Sequence, residues 1–317
     1  MSEAPYYVIG IDAGGTATRG QLADPDGAVL AACETGPSNV QTLGVEQCAR
    51  VVDDAVASLC IDARAPQSAV PVVVFGAAGA GRESDQRRMR GAVQALWEER
   101  DDHPRSILVV SDADIALEAA FGDEPGIVII AGTGSIVYGR DAGGAIRRCG
   151  GWGPVLGDPG SGAALGLAAL RHAAKVFDGC AQPTLLTALL AKSAGIDSGE
   201  ALIAKVYHDG TAPATLAPLV FEAASDGDGA AQTILTNAAE ELAHMFECAV
   251  RQFAFSSEIP VALMGGLLQS ANSYHDHLAS AISARVPKSR IQALRHAPAD
   301  GAIAMALRMT RSKQHGG

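Results

Sequence analysis

The chain has 317 residues, more than one hydrophobic core usually holds, so its length predicts two domains or one large α/β unit. It is 48% hydrophobic and 19% charged, and no apolar run approaches the roughly 20 residues that span a bilayer, which argues against a membrane protein. A formal charge of -11 without a Lys/Arg-rich stripe argues against nucleic-acid binding. No secretory signal is visible at the start, so we expect a cytoplasmic protein.

In chain order, the first half predicts a meander of strands and then alternating helices and strands. The predicted strands are 6–11, 18–23, 28–33, 70–75 and 106–110, and the predicted helices are 45–59, 83–99 and 113–121. The turn Asp12-Ala13-Gly14-Gly15-Thr16 separates the first two strands, and Asp24-Pro25-Asp26-Gly27 separates the next two. The chain therefore opens with strands joined by tight turns.

The second half repeats this opening pattern before it becomes mostly helical. Strands are predicted at 126–130, 136–140 and 145–148, with the glycine turn Ala131-Gly132-Thr133-Gly134-Ser135 after the first of them. Helices are then predicted at 160–177, 183–194, 211–224, 230–253 and 299–309, with a late strand at 261–264. Because the order of elements and the Gly/Thr/Ser content of the first turn agree in both copies, the sequence predicts an internal duplication.

Both glycine turns stand between two strands, whereas in the Rossmann fingerprint and the P-loop the glycines lead into a helix. A turn between strands can still bind phosphate through backbone N–H groups and hydroxyls. The alternative is a pair of ordinary hairpin turns. Asp12, beside the first turn, could hold a magnesium ion or its waters, and its alternative role is to cap the turn.

Seven short motifs carry a resemblance to a known family. They are Asp12-Ala13-Gly14-Gly15-Thr16, Pro37-Ser38-Asn39, Ser111-Asp112-Ala113, Ala131-Gly132-Thr133-Gly134-Ser135, Gly150-Gly151-Trp152-Gly153, Gly157-Asp158-Pro159-Gly160-Ser161-Gly162 and Leu263-Met264-Gly265-Gly266. In this order they resemble the N-acetylglucosamine kinase branch of the BadF/BadG/BcrA/BcrD ATPase family over nearly the whole chain. The resemblance implies an α/β, duplicated ribonuclease H-like fold, as in actin, heat-shock 70 chaperones and sugar kinases, with two lobes around a cleft. The lobes would be 1–115 and 116–317, the second with helical insertions and a last helix that packs back on the first.

The same resemblance implies an ATP-dependent amino-sugar kinase that makes the 6-phosphate of glucosamine or N-acetylglucosamine. The residues implied to bind ATP are Asp12, Gly14, Gly15, Thr16, Gly132, Thr133, Gly134, Ser135, Gly265 and Gly266, with Mg²⁺ at Asp12 through waters. The residues implied to face the sugar are Asn39, Asp112, Gly151, Trp152 and Asp158, with Asp112 as the general base. Because relatives are often dimers, we expect a homodimer.

Two of these residues have competing structural roles. Asp112 follows a buried strand and opens a helix, so it could be a helix cap. Ser111 and Asp114 already fit a capping box, which favours catalysis for Asp112. Trp152 could be a core aromatic, since large aromatic residues more often pack in a core than line a ligand site. For Trp152 the family resemblance favours ligand contact.

Other interpretations stay open at this point. At Ile136 the chain departs from the animal N-acetylglucosamine kinases, which have a sugar-facing Asn there, so free glucosamine is an alternative substrate. A different function in the same family is an ATPase that activates a radical dehydratase or reductase through a cluster bridged by cysteines. The chain lacks close cysteine pairs, and we expect its cysteines to be buried free thiols. A sugar-responsive regulator is a third interpretation, which the charge disfavours. His275 and His277 are expected to be surface histidines.

Overall fold

The computed structural model describes residues 6–15, 17–255, 258–268, 272–294 and 296–315. The chain divides into two compact units, of which unit 1 is Met1–Glu124 with Leu294–Gly317 and unit 2 is Pro125–Ala293. The division therefore falls after Glu124 rather than after residue 115. No helix among the described residues is long and apolar enough to cross a membrane.

The strands and helices alternate as follows. The strands are β1 Val8–Ala13, β2 Thr18–Ala23, β3 Val29–Thr35, β4 Val72–Ala77, β5 Ile107–Ser111, β6 Gly126–Ala131, β7 Ser135–Arg140, β8 Ile146–Gly150, β9 Ile259–Met264 and β10 Ser289–Gln292. The helices are α1 Val40–Leu43, α2 Val45–Ala63, α3 Glu83–Glu98, α4 Asp112–Phe121, α5 Gly162–Phe177, α6 Leu185–Ala194, α7 Gly199–Ile203, α8 Ala217–Ser225, α9 Gly229–Val250, α10 Ser273–Arg285 and α11 Pro298–His315. Two 3-10 turns, Gln67–Ala69 and Pro213–Leu216, and one π-helical turn, Ala204–His208, complete the described elements.

Unit 1 is built on a five-stranded sheet in the order β3-β2-β1-β4-β5. The strands β1, β2 and β3 form an antiparallel meander, and β4 lies parallel to both β1 and β5. Every residue of β4 is buried, as expected for a parallel strand that helices cover on both faces. The apolar side chains of α2 and α3 fill the core on one face, and those of α4 and α11 fill it on the other.

The helices α4 and α11 approach the sheet of unit 1 closely at two glycines. A Cβ at Gly10 would lie 2.6 Å from the backbone nitrogen of Ile303 in α11. A Cβ at Gly76 would lie 2.3 Å from Cδ1 of Ile115 in α4. These contacts place the last helix of the chain in unit 1, even though it follows all the strands of unit 2.

Unit 2 repeats this architecture. Its five-stranded sheet has the order β10-β9-β6-β7-β8, so the first strand of the meander again lies beside a parallel strand, here β9. Its core is formed mainly by the sheet and by α5, α6, α8, α9 and α10. The predicted duplicated α/β fold is confirmed by this shared strand order.

The sequence interpretation omitted α1, α7, α10 and β10. The buried residues of α10 recur at helical spacing, but His, Asp and Ser between them dilute the apolar pattern. The strand β10 has four residues, too few for a clear alternation, and among the described strands it pairs only with β9. The expectation of buried thiols was wrong in part: all six cysteines are free, but only Cys48 and Cys60 are buried, and Cys180 is exposed.

Candidate active site

In unit 1, two carboxylates lie where parallel strands end. The last residues of β1, β4 and β5 are in register, because Ala13 pairs with Ala77 and Ala77 pairs with Ser111. Asp12 comes one residue before this row and Asp112 one residue after it, at the start of α4. Since the carboxyl ends of parallel strands form one edge of the sheet, both side chains belong to that edge.

Both carboxylates hold protons more tightly than an ordinary aspartate. Burial raises the pKa of Asp12 to about 6, although the positive charge of Arg19, its partner on β2, opposes this. Burial and then the negative charge of Asp12 raise the pKa of Asp112 to about 7. The backbone N–H of Ala113 donates to Asp112 Oδ1 at 3.0 Å and lowers the pKa, but by less than the other two causes raise it. Asp112 is therefore partly ionised near neutral pH.

The start of α4 is capped without Asp112. The Ser111 hydroxyl accepts a hydrogen bond from the Asp114 backbone N–H at 3.1 Å, and the Asp114 carboxylate accepts one from the Ser111 N–H at 3.0 Å. This is the predicted capping box, and it is confirmed. The carboxylate of Asp112 is therefore not needed to start the helix.

Three loops meet at this edge through backbone hydrogen bonds. The N–H of Ala78, after β4, donates to Ala13 O at 2.9 Å, and the N–H of Val40 donates to Ala78 O at 3.1 Å. The N–H of Ser38 donates to Gly14 O in the first glycine turn at 3.0 Å. The loops that follow β1, β3 and β4 are thus fixed to one another.

Asn39 stands in this loop cluster and is partly buried. Its side-chain oxygen accepts from the Gln41 N–H at 2.9 Å and caps α1. The loop after β4 passes so close that a Cβ at Gly79 would lie 2.6 Å from Asn39 Oδ1. Gly14 is partly buried and Gly15 exposed in the neighbouring turn, whereas Thr16 lies outside the described residues.

In unit 2, the second glycine turn is held by the start of α5. The N–H of Gly132 closes the turn by donating to Gly134 O at 2.9 Å. The N–H groups of Gly162 and Ala163 then donate to Gly132 O and Thr133 O at 2.8 and 3.1 Å. Because these carbonyls are occupied, the turn is fixed before any ligand binds.

The two hydroxyls of this turn differ in access. Thr133 is exposed, whereas Ser135 is buried and its hydroxyl donates to Pro159 O at 2.7 Å. The side chain of Thr133 is therefore accessible to a phosphate, whereas the hydroxyl of Ser135 is already used in a hydrogen bond within the protein. The sequence pattern predicted phosphate contact for both residues and did not distinguish them.

Asp158 places a buried carboxylate against the second glycine turn. Its backbone is left-handed, with φ 58°, and its Oδ2 would lie 2.6 Å from a Cβ at Gly134. Its carboxylate accepts a hydrogen bond from the Gly153 N–H at 3.1 Å, and the backbone N–H groups of Gly153, Ser135 and Trp152 lower its pKa. Burial still raises the pKa of Asp158, because desolvation outweighs these hydrogen bonds.

Trp152 follows β8 and is not a core aromatic, because 59% of its surface is exposed. A Cβ at Gly157 would lie 3.3 Å from Trp152 Cβ, so the loop folds back on its ring. Before Trp152, Gly151 has φ 69° and its missing Cβ would lie 2.9 Å from Cδ1 of Ile136. Ile136, where the chain departs from the animal kinases, thus packs beneath Gly151.

The glycine pair after β9 lies beside the same turn. Gly265 has φ 94°, and a Cβ there would lie 2.3 Å from Ala131 O at the end of β6. The N–H of Leu267 donates to that same oxygen at 3.2 Å. Gly266 has open space where a Cβ would be. Unit 2 therefore brings the glycines of β6 and β9 together at one sheet edge, as the parallel pairing of these strands requires.

The family model for the BadF/BadG/BcrA/BcrD ATPase family matches residues 9–307. The chain belongs to this ATPase family. It is 31% identical to the N-acetylmuramic acid/N-acetylglucosamine kinase of Clostridium acetobutylicum, with 95% of this chain and 98% of that protein covered. It is also 31% identical to the N-acetyl-D-glucosamine kinase of Dictyostelium discoideum, with 94% and 97% covered.

A solved structure shares the fold of this ATPase family member. A Chromobacterium violaceum protein, provisionally assigned as an N-acetylglucosamine kinase, superposes with a TM-score of 0.75 at 28% identity. The superposition covers 95% of this chain and 99% of that one. The predicted family is thereby confirmed, while the roles of individual site residues stay predictions.

Proposed function

We propose that this family member is an ATP-dependent amino-sugar kinase. The observation that carries the proposal is the Asp112 carboxylate, which lies at a strand end of unit 1 with its pKa raised to about 7. A general base is most effective when its pKa is close to the working pH. The names of the two 31%-identical relatives, both amino-sugar kinases, support the same substrate class.

In the proposed reaction, Asp112 takes the proton of the attacking sugar hydroxyl. The hydroxyl oxygen forms a bond to the γ-phosphorus of ATP, the bond from that phosphorus to the β–γ bridging oxygen breaks, and ADP leaves. We assign the 6-hydroxyl as the attacking group. The protein itself forms no covalent bond to the transferred phosphoryl group. Its main contribution to the transfer is therefore to position Asp112 beside the attacking hydroxyl.

The nucleotide contacts are proposed from glycine turns in both units. In unit 1 the turn supplies Asp12, Gly14, Gly15 and Thr16. In unit 2 the phosphate contacts are Gly132, Thr133, Gly134 and Ser135, and the adenosine contacts are Gly265 and Gly266. The open space at Gly132 and Gly266, where a Cβ meets nothing within 4 Å, supports a close approach by the nucleotide.

The residues of unit 1 fit a magnesium ion. Asp12 and Asp112 are partly buried carboxylates whose pKa values are raised chiefly by burial, so a cation beside them would stabilise their charged forms. Among the described residues no group of three acidic, His or Cys side chains could hold a metal alone. Mg²⁺ suits such a site, since it commonly takes one or two carboxylates, waters and substrate phosphates. Asp12 would hold the ion through waters, and the ion would neutralise charge on the phosphates.

The sugar contacts are proposed as Asn39 and Asp112 in unit 1 and Gly151, Trp152 and Asp158 in unit 2. Asp158 gives the strongest support for a sugar site, because its buried carboxylate can accept hydrogen bonds from sugar hydroxyls. Trp152 offers an exposed ring to the apolar face of a sugar. We further propose that the two units act as the lobes of a cytoplasmic, homodimeric kinase. Light scattering would measure the mass of the protein in solution and so test the dimer.

A substrate panel tests the proposed function. Purified protein with ATP and Mg²⁺ is given glucosamine, N-acetylglucosamine, N-acetylmuramic acid or glucose, and ADP release and the sugar phosphate are measured. We expect phosphorylation of at least one amino sugar at a rate well above glucose. If none of the four sugars is phosphorylated, the kinase proposal is wrong.

A further inference from the structure

Arg148 lies over the ring of Trp152, a side chain that is 59% exposed. It stands on β8, is partly buried, and its guanidinium carbon lies 5.1 Å from the centre of the Trp152 ring. A guanidinium next to an aromatic ring is attracted by the electrons of that ring. A guanidinium next to a ring can still donate hydrogen bonds from its N–H groups to another partner.

The edge of this guanidinium has no protein partner in the part of the chain that the structure describes. No carboxylate pairs with Arg148, and its side chain donates no hydrogen bond there, although the chain has 35 acidic residues against 24 Lys and Arg. A partly buried cation beside a proposed sugar contact is therefore left with free donors. A planar, forked cation of this kind binds carboxylates through paired hydrogen bonds.

The position of Arg148 along the sheet favours the sugar over the nucleotide phosphates. Arg148 pairs with Tyr138, three residues along β7 from Ser135, where the glycine turn ends. At the usual rise of a strand, its Cα is about 10 Å from that turn. The side chain is instead committed to Trp152, which we assign to the sugar.

We propose that Arg148 is a specificity residue that binds a carboxylate carried by the amino-sugar substrate. This rests on the proposed function and narrows it to a substrate class, the acidic amino sugars. N-acetylmuramic acid, which carries a carboxylate on an N-acetylglucosamine ring, is the available probe. The neutral N-acetylglucosamine has a free hydroxyl in place of the carboxylate-bearing ether, so the contribution of Arg148 is measured by how its substitution changes the ratio between the two sugars.

The test compares kcat/KM for these two sugars in Arg148→Ala and in the wild type. A charged hydrogen bond is worth about 1.5–3 kcal/mol, so we expect the ratio of acidic to neutral sugar to fall by about 10- to 100-fold. Arg148→Lys keeps the charge but lacks the planar fork of the guanidinium. Its ratio of kcat/KM for the acidic sugar to that for the neutral sugar should lie between the ratios of the wild type and Arg148→Ala. The matched control is Arg147→Ala, an exposed arginine one residue earlier, whose ratio should stay within about twofold because alternate residues face opposite sides of a strand.

The outcomes separate this inference from the kinase proposal. If Arg148→Ala slows both sugars equally, Arg148 only orients Trp152 and the inference is overturned. It is also overturned if the wild type phosphorylates N-acetylglucosamine but not N-acetylmuramic acid, or if only the KM for ATP changes. If the wild type phosphorylates none of the sugars, the kinase proposal is overturned instead.

Discussion

The two units share a backbone plan and differ in chemistry at the same place. In unit 1 the fifth residue of the central strand is Asp12, paired with Arg19, whereas in unit 2 the fifth residue is Ile130, paired with Ile136. Both turns are closed by a 2.9 Å backbone bond from their first glycine. The duplication thus preserved the turn and allowed the neighbouring side chains to diverge.

Unit 2 supplies its carboxylate by a different route. Asp158 comes from the loop before α5 rather than from a strand, and it reaches the glycine turn only because Gly134 has no side chain. Unit 1 therefore presents strand-end carboxylates with raised pKa values, and unit 2 presents a loop carboxylate bonded by backbone N–H groups. This difference predicts that proton transfer and cation binding depend on the carboxylates of unit 1, whereas the carboxylate of unit 2 contributes to sugar binding.

The largest expected effect is the loss of proton transfer. Asp112→Asn should lower kcat by about 100- to 10,000-fold, the usual contribution of a general base, while ATP binding measured by calorimetry is largely retained. Asp114→Asn is the matched control, since it weakens the capping box of the same helix but leaves Asp112 in place. Near-normal turnover in Asp112→Asn would refute the base assignment.

Displacing the carboxylate of unit 2 should give the next largest effect. Gly134→Ala puts a Cβ 2.6 Å from Asp158 Oδ2, so we expect kcat/KM for the sugar to fall by about 10- to 100-fold through weaker sugar binding. Gly199→Ala at the start of α7 is the control, because its Cβ meets no atom within 4 Å and it lies outside the proposed contacts, so it should cost clearly less. Equal losses in the two variants would show that the position of Asp158 is not the cause.

A stability measurement tests the burial of Asp112. Its pKa is 3.8 when exposed and about 7 in the folded protein, so the unfolded chain loses this proton first as the pH rises. The group therefore lowers stability progressively between those two values, and the full cost remains above pH 7. Without ATP or metal, Asp112→Asn should raise the free energy of unfolding at pH 8 by on the order of 1–2 kcal/mol, since water partly screens the carboxyl.

The control for this measurement is the same comparison at low pH. Below the ordinary pKa of an aspartate, wild-type Asp112 is neutral in both states, so Asp112→Asn should give little stabilisation there. Urea unfolding at several pH values would provide both curves. A stabilisation that does not depend on pH would mean that the carboxylate is not responsible.

The smallest effect concerns the coupling between the two carboxylates of unit 1. Asp12→Asn removes the charge that most strongly repels an ionised Asp112, so the pKa of Asp112 should fall below about 7 in the metal-free protein. Carbon-13 NMR of the carboxyl group would follow the titration. Asp114→Asn should move it less, because the charge of Asp114 is a weaker cause. A larger shift from Asp114→Asn would contradict the assigned order of causes.

Much of the fold was accessible from the sequence, because it depends on local patterns. The six-residue strand β2 was predicted with its observed bounds, Thr18–Ala23, since a turn precedes it and Asp24-Pro25-Asp26-Gly27 follows it. The capping box at Ser111 was likewise readable, because its two partners are three residues apart. Elements with weak periodicity, such as α10, were missed.

The sequence by itself determined the duplicated strand meander, the two glycine turns and the ATPase family, since apolar runs, turn residues and motif order are properties of the chain. Only the tertiary structure decided which side chains share a site. The raised pKa of Asp112 comes from burial and from Asp12, which β4 brings to the same sheet edge. The adjacent Arg147 and Arg148 look alike in sequence, and only the direction of each side chain from β8 decides that Arg148 meets Trp152. Burial, charge proximity and side-chain direction arise from packing between distant segments, so no local pattern specifies them.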